Sequence, residues 1–134
     1  MHKKNNNKGI TLLEIVISLL IFGIAATGIL RSFVFCNTRA KSTSLRTAAI
    51  ALAQERMEQI KNDSYPNVTA ANYPDETNLI LDTAGTADTG DDLTGTRTVT
   101  ITGASPNPKT ITVTVTWKFK GNQFSESLTT LKIP

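Results

Sequence analysis

The sequence predicts an α+β fold: one long N-terminal helix, half transmembrane and half amphipathic, packed on a small antiparallel C-terminal sheet. Three observations carry this. Residues 10–30, ITLLEIVISLLIFGIAATGIL, form an apolar run long enough to cross a bilayer as a helix. Residues 32–62 contain neither glycine nor proline and repeat their apolar positions at helical steps. Near the C-terminus, KTITVTVTWKFK alternates strictly between apolar and polar residues.

Within the apolar run, Glu14 is the only ionisable side chain. A carboxylate at that depth is costly and marks a candidate functional residue. A basic leader precedes it, with Lys3, Lys4 and Lys8. By the positive-inside rule these lysines place the N-terminus in the cytoplasm and everything beyond Arg31 across the membrane. An ordinary secretory signal has a short apolar stretch followed by an A-x-A-like cleavage site. This run is about 20 residues long and has no such site. With 134 residues and no second long apolar run, the chain is expected to supply one span and one small domain.

Beyond the span, Leu45, Ala49, Leu52, Ala53, Met57 and Ile60 define one apolar stripe, with Arg39, Lys41, Arg46, Glu55, Glu58 and Lys61 largely off it. A continuous helix from Ile10 to Asn62 would measure about 80 Å at 1.5 Å per residue. Asp63, Ser64 and Pro66 supply breaker chemistry at its end. Residues 63–95 are rich in Thr, Asn, Asp, Ala and Gly and hold seven acids and no base, so an irregular acidic connection is expected there.

Residues 96–134 read as three antiparallel strands. Ile111, Val113, Val115, Trp117 and Phe119 share one face, and Thr112, Thr114, Thr116 and Lys118 the other. Gly121 and Asn122 are read as a two-residue hairpin turn. After it Phe124 and Leu128 keep one phase and Leu131 with Ile133 the other, which a bulge near Thr129 and Thr130 would reconcile. Three short strands are unstable alone and need the helical stripe beneath them.

KGITLLEIVISLL resembles the class III signal of type IV prepilins: a short basic leader ending in Gly9, then a hydrophobic residue, Thr11, two leucines and Glu14. The helix end ALAQERMEQIK and the strand ITVTVTW resemble minor pilins and minor type II secretion pseudopilins, the type IV pilus modification protein group among them. The resemblance implies a pilin-like fold with residues 1–9 as leader, 10–31 as membrane half-helix and 32–62 as amphipathic half-helix. It implies that a prepilin peptidase cuts after Gly9 and methylates the new amine of Ile10. In the family the first mature residue is usually phenylalanine; here it is Ile10. Glu14 is implied to pair with the amine of a neighbouring subunit inside the filament, with Thr11 part of the same assembly motif. Where major pilins carry a proline in the membrane half, this chain has Gly23 and Gly28. The implied partners are the peptidase, other pilin or pseudopilin subunits and an inner-membrane assembly platform. The implied location is the inner membrane as a single-pass protein with its C-terminal domain periplasmic, and then a pilus or pseudopilus.

Other functions find less support. The only histidine, His2, lies in the leader, and no acid pair, metal cluster or phosphate loop follows, so no enzyme, cofactor or metal is expected. The acids Asp82, Asp88, Asp91 and Asp92 match no EF-hand spacing and read as a solvated loop rather than a calcium site. Lys109, Lys118, Lys120 and Lys132 read as a solvated sheet face rather than a nucleic-acid surface, because aromatic residues do not interleave with them. Cys36 stands alone, which excludes an intrachain disulfide, and reads as a small packed hydrophobe. The alternative to filament assembly is a generic single-pass anchor, processed nowhere near Gly9.

Overall fold

The computed structural model describes residues 11–85 and 92–134. Helix α1 spans Leu12–Asn62, followed by a short 3-10 turn at Tyr65–Asn67 and four strands: β1 (Glu76–Asp82), β2 (Leu93–Thr102), β3 (Lys109–Phe119) and β4 (Asn122–Lys132). The chain divides into two units, Met1–Ala40 and Lys41–Pro134.

In the first unit the helix exposes large apolar side chains on every side up to Leu30. Leu12, Leu19, Phe22, Ile24, Leu30 and Phe33 are each more than half exposed. Its backbone bonds are satisfied along its own axis, which is the condition for a segment that spans lipid. The side-chain hydroxyls of Thr27 and Ser32 donate to the carbonyls of Gly23 and Gly28 one turn back, at 2.8 and 3.1 Å, so they present no free donor to an apolar surrounding.

In the second unit, residues 41–62 of α1 lie under an antiparallel sheet of order β1-β2-β3-β4. Leu45, Ala49, Ala53, Met57 and Ile60 are buried against Val99, Ile111, Val113, Val115 and Trp117, with Val68, Tyr73 and Leu81 closing the core. The three- and four-residue steps keep these residues on one helical face, and the two alanines let backbone and sheet approach closely. The opposite face of the sheet is built of hydroxyls. Thr96, Thr98 and Thr100 of β2 stand opposite Thr116, Thr114 and Thr112 of β3, which in turn face Ser125, Ser127 and Thr129 of β4.

The structure corrects four expectations about the sheet and the segment before it. First, the 63–95 segment is not uniformly irregular, and the sheet has four strands rather than three: β1 lies inside that segment and β2 begins at Leu93. The strand was masked because β1 slips register between Glu76 and Leu79 and again between Ile80 and Asp82, and Asn78 adopts φ 59°. Such irregularities erase the two-residue alternation that marks a strand. Gly95 serves this junction, since a Cβ there would lie 2.6 Å from Leu81 Cδ1 and 2.9 Å from the Thr116 carbonyl.

Second, the β3–β4 turn is Lys120-Gly121 rather than Gly121-Asn122. Phe119 pairs directly with Asn122, and both turn residues have positive φ, 50° and 80°, as a type I′ turn requires. Third, β4 has no bulge at Thr129 and Thr130; its register runs unbroken from Asn122 to Lys132. Leu131 and Ile133 simply face outward, 66% and 72% exposed, while Lys132 takes the inward position. Fourth, Lys109 and Lys132 do not belong to a solvated face. Lys109 is buried, and both reach backbone carbonyls beneath the sheet.

Candidate functional site

Of the residues singled out from the sequence, Gly9 and Ile10 lie outside the described residues, as do Asp88 and Asp91. Thr11 and Glu14 are described and belong together. Thr11 precedes the first helical residue, and its side-chain oxygen accepts from the Glu14 backbone N–H at 3.2 Å, the bond of an N-cap. The Ile15 N–H donates to the Thr11 carbonyl at 3.2 Å, closing the first turn. Sequence reasoning assigned Thr11 to a recognition motif and overlooked this role, although T-L-L-E has the spacing of a capping box.

The Glu14 carboxylate occupies the first turn of α1, where the helix dipole favours negative charge. It is exposed, and among the described residues no cation approaches it. Leu12, Leu13, Ile15, Val16 and Ile17 surround it with exposed apolar surface. A bare acid in that setting can receive a positive charge brought by another molecule, and it is the only ionisable side chain of the apolar run up to Leu30. Cys36 is exposed rather than packed, which corrects the reading of it as a buried hydrophobe.

The second unit holds its polar contacts inside. Arg97 is 5% exposed; its Nε donates to Glu76 Oε2 at 2.8 Å and its Nη1 to the Leu52 carbonyl at 2.7 Å. Arg56 Nη2 reaches the other Glu76 oxygen at 2.7 Å. This carboxylate therefore ties β1 to both α1 and β2. Arg46 pairs with Glu126 at 2.6 Å and Lys41 with Asp82, so helix cations meet acids on both edge strands. Lys109 Nζ donates to the Tyr65 and Val68 carbonyls at 2.9 and 2.8 Å and sits 4.3 Å from the Tyr65 ring centroid.

Asp63 organises the helix exit. Its carboxylate accepts from the Tyr73 hydroxyl at 2.8 Å, the Asn67 amide at 3.2 Å and the Ser64 N–H at 2.8 Å. The Tyr73 bond, foremost, holds the Asp63 carboxyl below its ordinary value. Burial, and then the same bond, pushes the Tyr73 hydroxyl above its own.

The alternation itself could have found these inward-facing cations. Arg97 is in phase with Val99 and Ile101, Lys109 with Ile111, and Lys132 with Phe124 and Leu128. Arg97, Lys109 and Lys132 are each spent on a carbonyl or an opposite charge within the fold.

Residues 4–30 match the family model for the prokaryotic N-terminal methylation motif, which takes in Gly9, Ile10, Thr11 and Glu14. No curated protein and no solved structure gives a significant match to the chain. Residues 4–30 thus carry a prepilin-like motif, and the exposed apolar helix it opens and the helix-on-sheet unit that follows fit the architecture expected of a prepilin-like chain.

Proposed function

We propose that this chain is a minor pilin, cut after Gly9 and methylated on Ile10 by prepilin peptidase, which then assembles through its N-terminal helix into a type IV pilus. The observation that carries the reading is the methylation motif at residues 4–30. It opens a helix whose apolar side chains stay exposed and whose first turn carries an acid without a partner among the described residues.

The chemistry follows from those residues. Gly9 presents no side chain, so the peptidase can approach the scissile backbone closely. The new amine of Ile10 and the carboxylate of Glu14 carry opposite charges. In a bundle of such helices Glu14 of one subunit meets the amine of the next, which offsets the cost of burying either in an apolar surround. Before assembly the subunit sits in the inner membrane with its three leader lysines cytoplasmic and the sheet periplasmic. The assembly platform and other subunits are its partners. A minor role fits a chain with a single cysteine, since major pilins often close their C-terminal region with a disulfide.

Intact-mass measurement of the membrane form tests the processing step. The expected chain begins at Ile10 with a methylated amine, and Gly9→Val retains the leader. A full-length chain in wild-type membranes with active peptidase overturns the reading. Glu14→Leu is expected to insert normally and to lose incorporation into filaments. Deleting the gene is expected to reduce surface fibres, adhesion or twitching. If fibres are normal and exported enzymes accumulate in the periplasm, the chain is a type II secretion pseudopilin instead.

A further inference from the structure

The hydroxyl face of the sheet is finished differently at its two ends. In the middle of the β3–β4 ladder the side chains satisfy one another: the Thr112 and Thr129 hydroxyls are 3.1 Å apart, and those of Thr114 and Ser127 2.9 Å. Toward the β3–β4 turn this pairing stops and a hollow of about 520 Å³ opens on the same face. Asn78, Asp92, Thr96, Thr116, Lys118 and Gln123 line it. Among the described residues, none of these six side chains bonds to another protein group. Four strands and the approach to β2 thus converge uncommitted polar groups on one concavity, while the neighbouring rows use theirs internally.

The lining specifies the ligand. One carboxylate, Asp92, and one ammonium, Lys118, leave it formally neutral, which disfavours a polyanion or a polycation alike. The two amides and the hydroxyls of Thr94, Thr96 and Thr116 each offer both donors and acceptors. Their natural counterpart is a molecule whose groups also do both at short intervals, which describes the hydroxyls of a sugar chain. An apolar peptide side chain or an acyl chain finds little seat here: of the two apolar side chains that border the hollow, Trp117 is 4% exposed with its ring against Phe124 at 5.8 Å, and Leu93 is partly buried against the core. Asn78 takes a left-handed backbone where β1 slips register, a conformation that a β-branched residue could not adopt cheaply.

We propose that this hollow binds a neutral carbohydrate chain, held by hydrogen bonds from Asn78, Thr96, Thr116 and Gln123 rather than by aromatic stacking. The site lies wholly within the helix-on-sheet unit and does not rest on filament assembly. Hydrogen bonds in open water are individually weak, so recognition is expected to depend on several contacts made together and on dense display of the sugar.

The test uses the full-length chain, solubilised in a detergent without a sugar head group and passed over immobilised cello-, chito-, manno- and galacto-oligosaccharides, with sialylated and sulfated glycans alongside. Retention on at least one neutral class, unchanged at high salt, is expected. It should fall about tenfold or more in a Thr96→Val/Gln123→Ala variant, the loss of one to two hydrogen bonds. A Thr112→Val/Thr129→Val variant, altered only where the hydroxyls pair, should bind as wild type. Trp117 fluorescence establishes that both variants are folded. No retention on any neutral glycan overturns the proposal, as does equal loss in the two variants or salt-sensitive binding confined to the anionic glycans.

Discussion

Leu20 and Leu45 are the same residue in the same helix, yet Leu20 is 61% exposed and Leu45 only 1%. Around Leu20 the apolar residues fall on every side of the helix, so no single surface could cover them; the surround itself must be apolar. Around Leu45 they fall on one stripe, and a sheet of matching width covers it. A helix is therefore not stabilised by its hydrophobicity as such. The angular distribution of that hydrophobicity decides whether the partner is a solvent or a surface. The second unit has a buried core of its own, whereas the first has only helical hydrogen bonds until an apolar surround encloses it.

The sharpest way to break this contrast is to truncate one isoleucine in each unit, buried in the second and exposed in the first. Ile60→Ala removes a side chain with no exposure and should cost roughly 2–5 kcal/mol, seen as a lower urea midpoint by Trp117 fluorescence. Ile21→Ala, more than half exposed, should leave that midpoint in place. Equal losses would mean that the two units stabilise one another, and the contrast would fail. Next in size is Arg97→Ala. It strips Glu76 and the Leu52 carbonyl of donors under the sheet and should cost about 3 kcal/mol. If the loss is only that of a surface charge, below about 1 kcal/mol, Arg97 is a passenger of the core and not its tie.

Acid should act on the second unit through Asp63. Its carboxyl is held below the ordinary value when folded, so its contribution is complete above about pH 4 and disappears as the pH falls through the folded value. Asp63→Asn should flatten that acid limb. Tyr73 acts in the opposite sense: its hydroxyl is raised on folding, so its contribution is present below about pH 10 and is lost as the pH rises past that. Stability profiles of wild type and variant against pH check both limbs. Smallest is Arg46→Ala, which breaks an exposed pair with Glu126 and should change stability by less than about 0.5 kcal/mol, with the remaining effect erased by salt.

Helix, stripe and central strands were legible because each obeys a simple period. Residues 41–62 repeat at three and four, and residues 109–119 at two, with no interruption. β1 was not legible because its pairing slips twice in seven residues, so no period survives. The inward lysines and Arg97 were visible in phase but were judged by charge, when the deciding quantity was whether carbonyls lay within reach. At the N-terminus the motif was plain in the letters Gly9, Thr11 and Glu14, yet its local physics, Thr11 capping the turn that carries Glu14, emerged only from the backbone. The hydroxyl hollow has no signature in one strand at all, because it is assembled from positions that become neighbours only when β1, β2, β3 and β4 are side by side.

Lys132 donates to the carbonyls of Lys61, at 2.6 Å, and of Asp63, and reaches that of Ile60 at 3.4 Å, a partner 72 positions earlier. The end of α1 is thus closed by a residue that does not exist until nearly the whole fold has been synthesised. Up to that moment the helix can form, but its terminal carbonyls stay open to water and the outer edge of β3 has no neighbour. Closing so distant a contact is slow, because the loop entropy falls due before the bond returns it. A chain arrested before β4 consequently carries a frayed helix end and a bare sheet edge together, which makes completeness of the subunit something a protease can read.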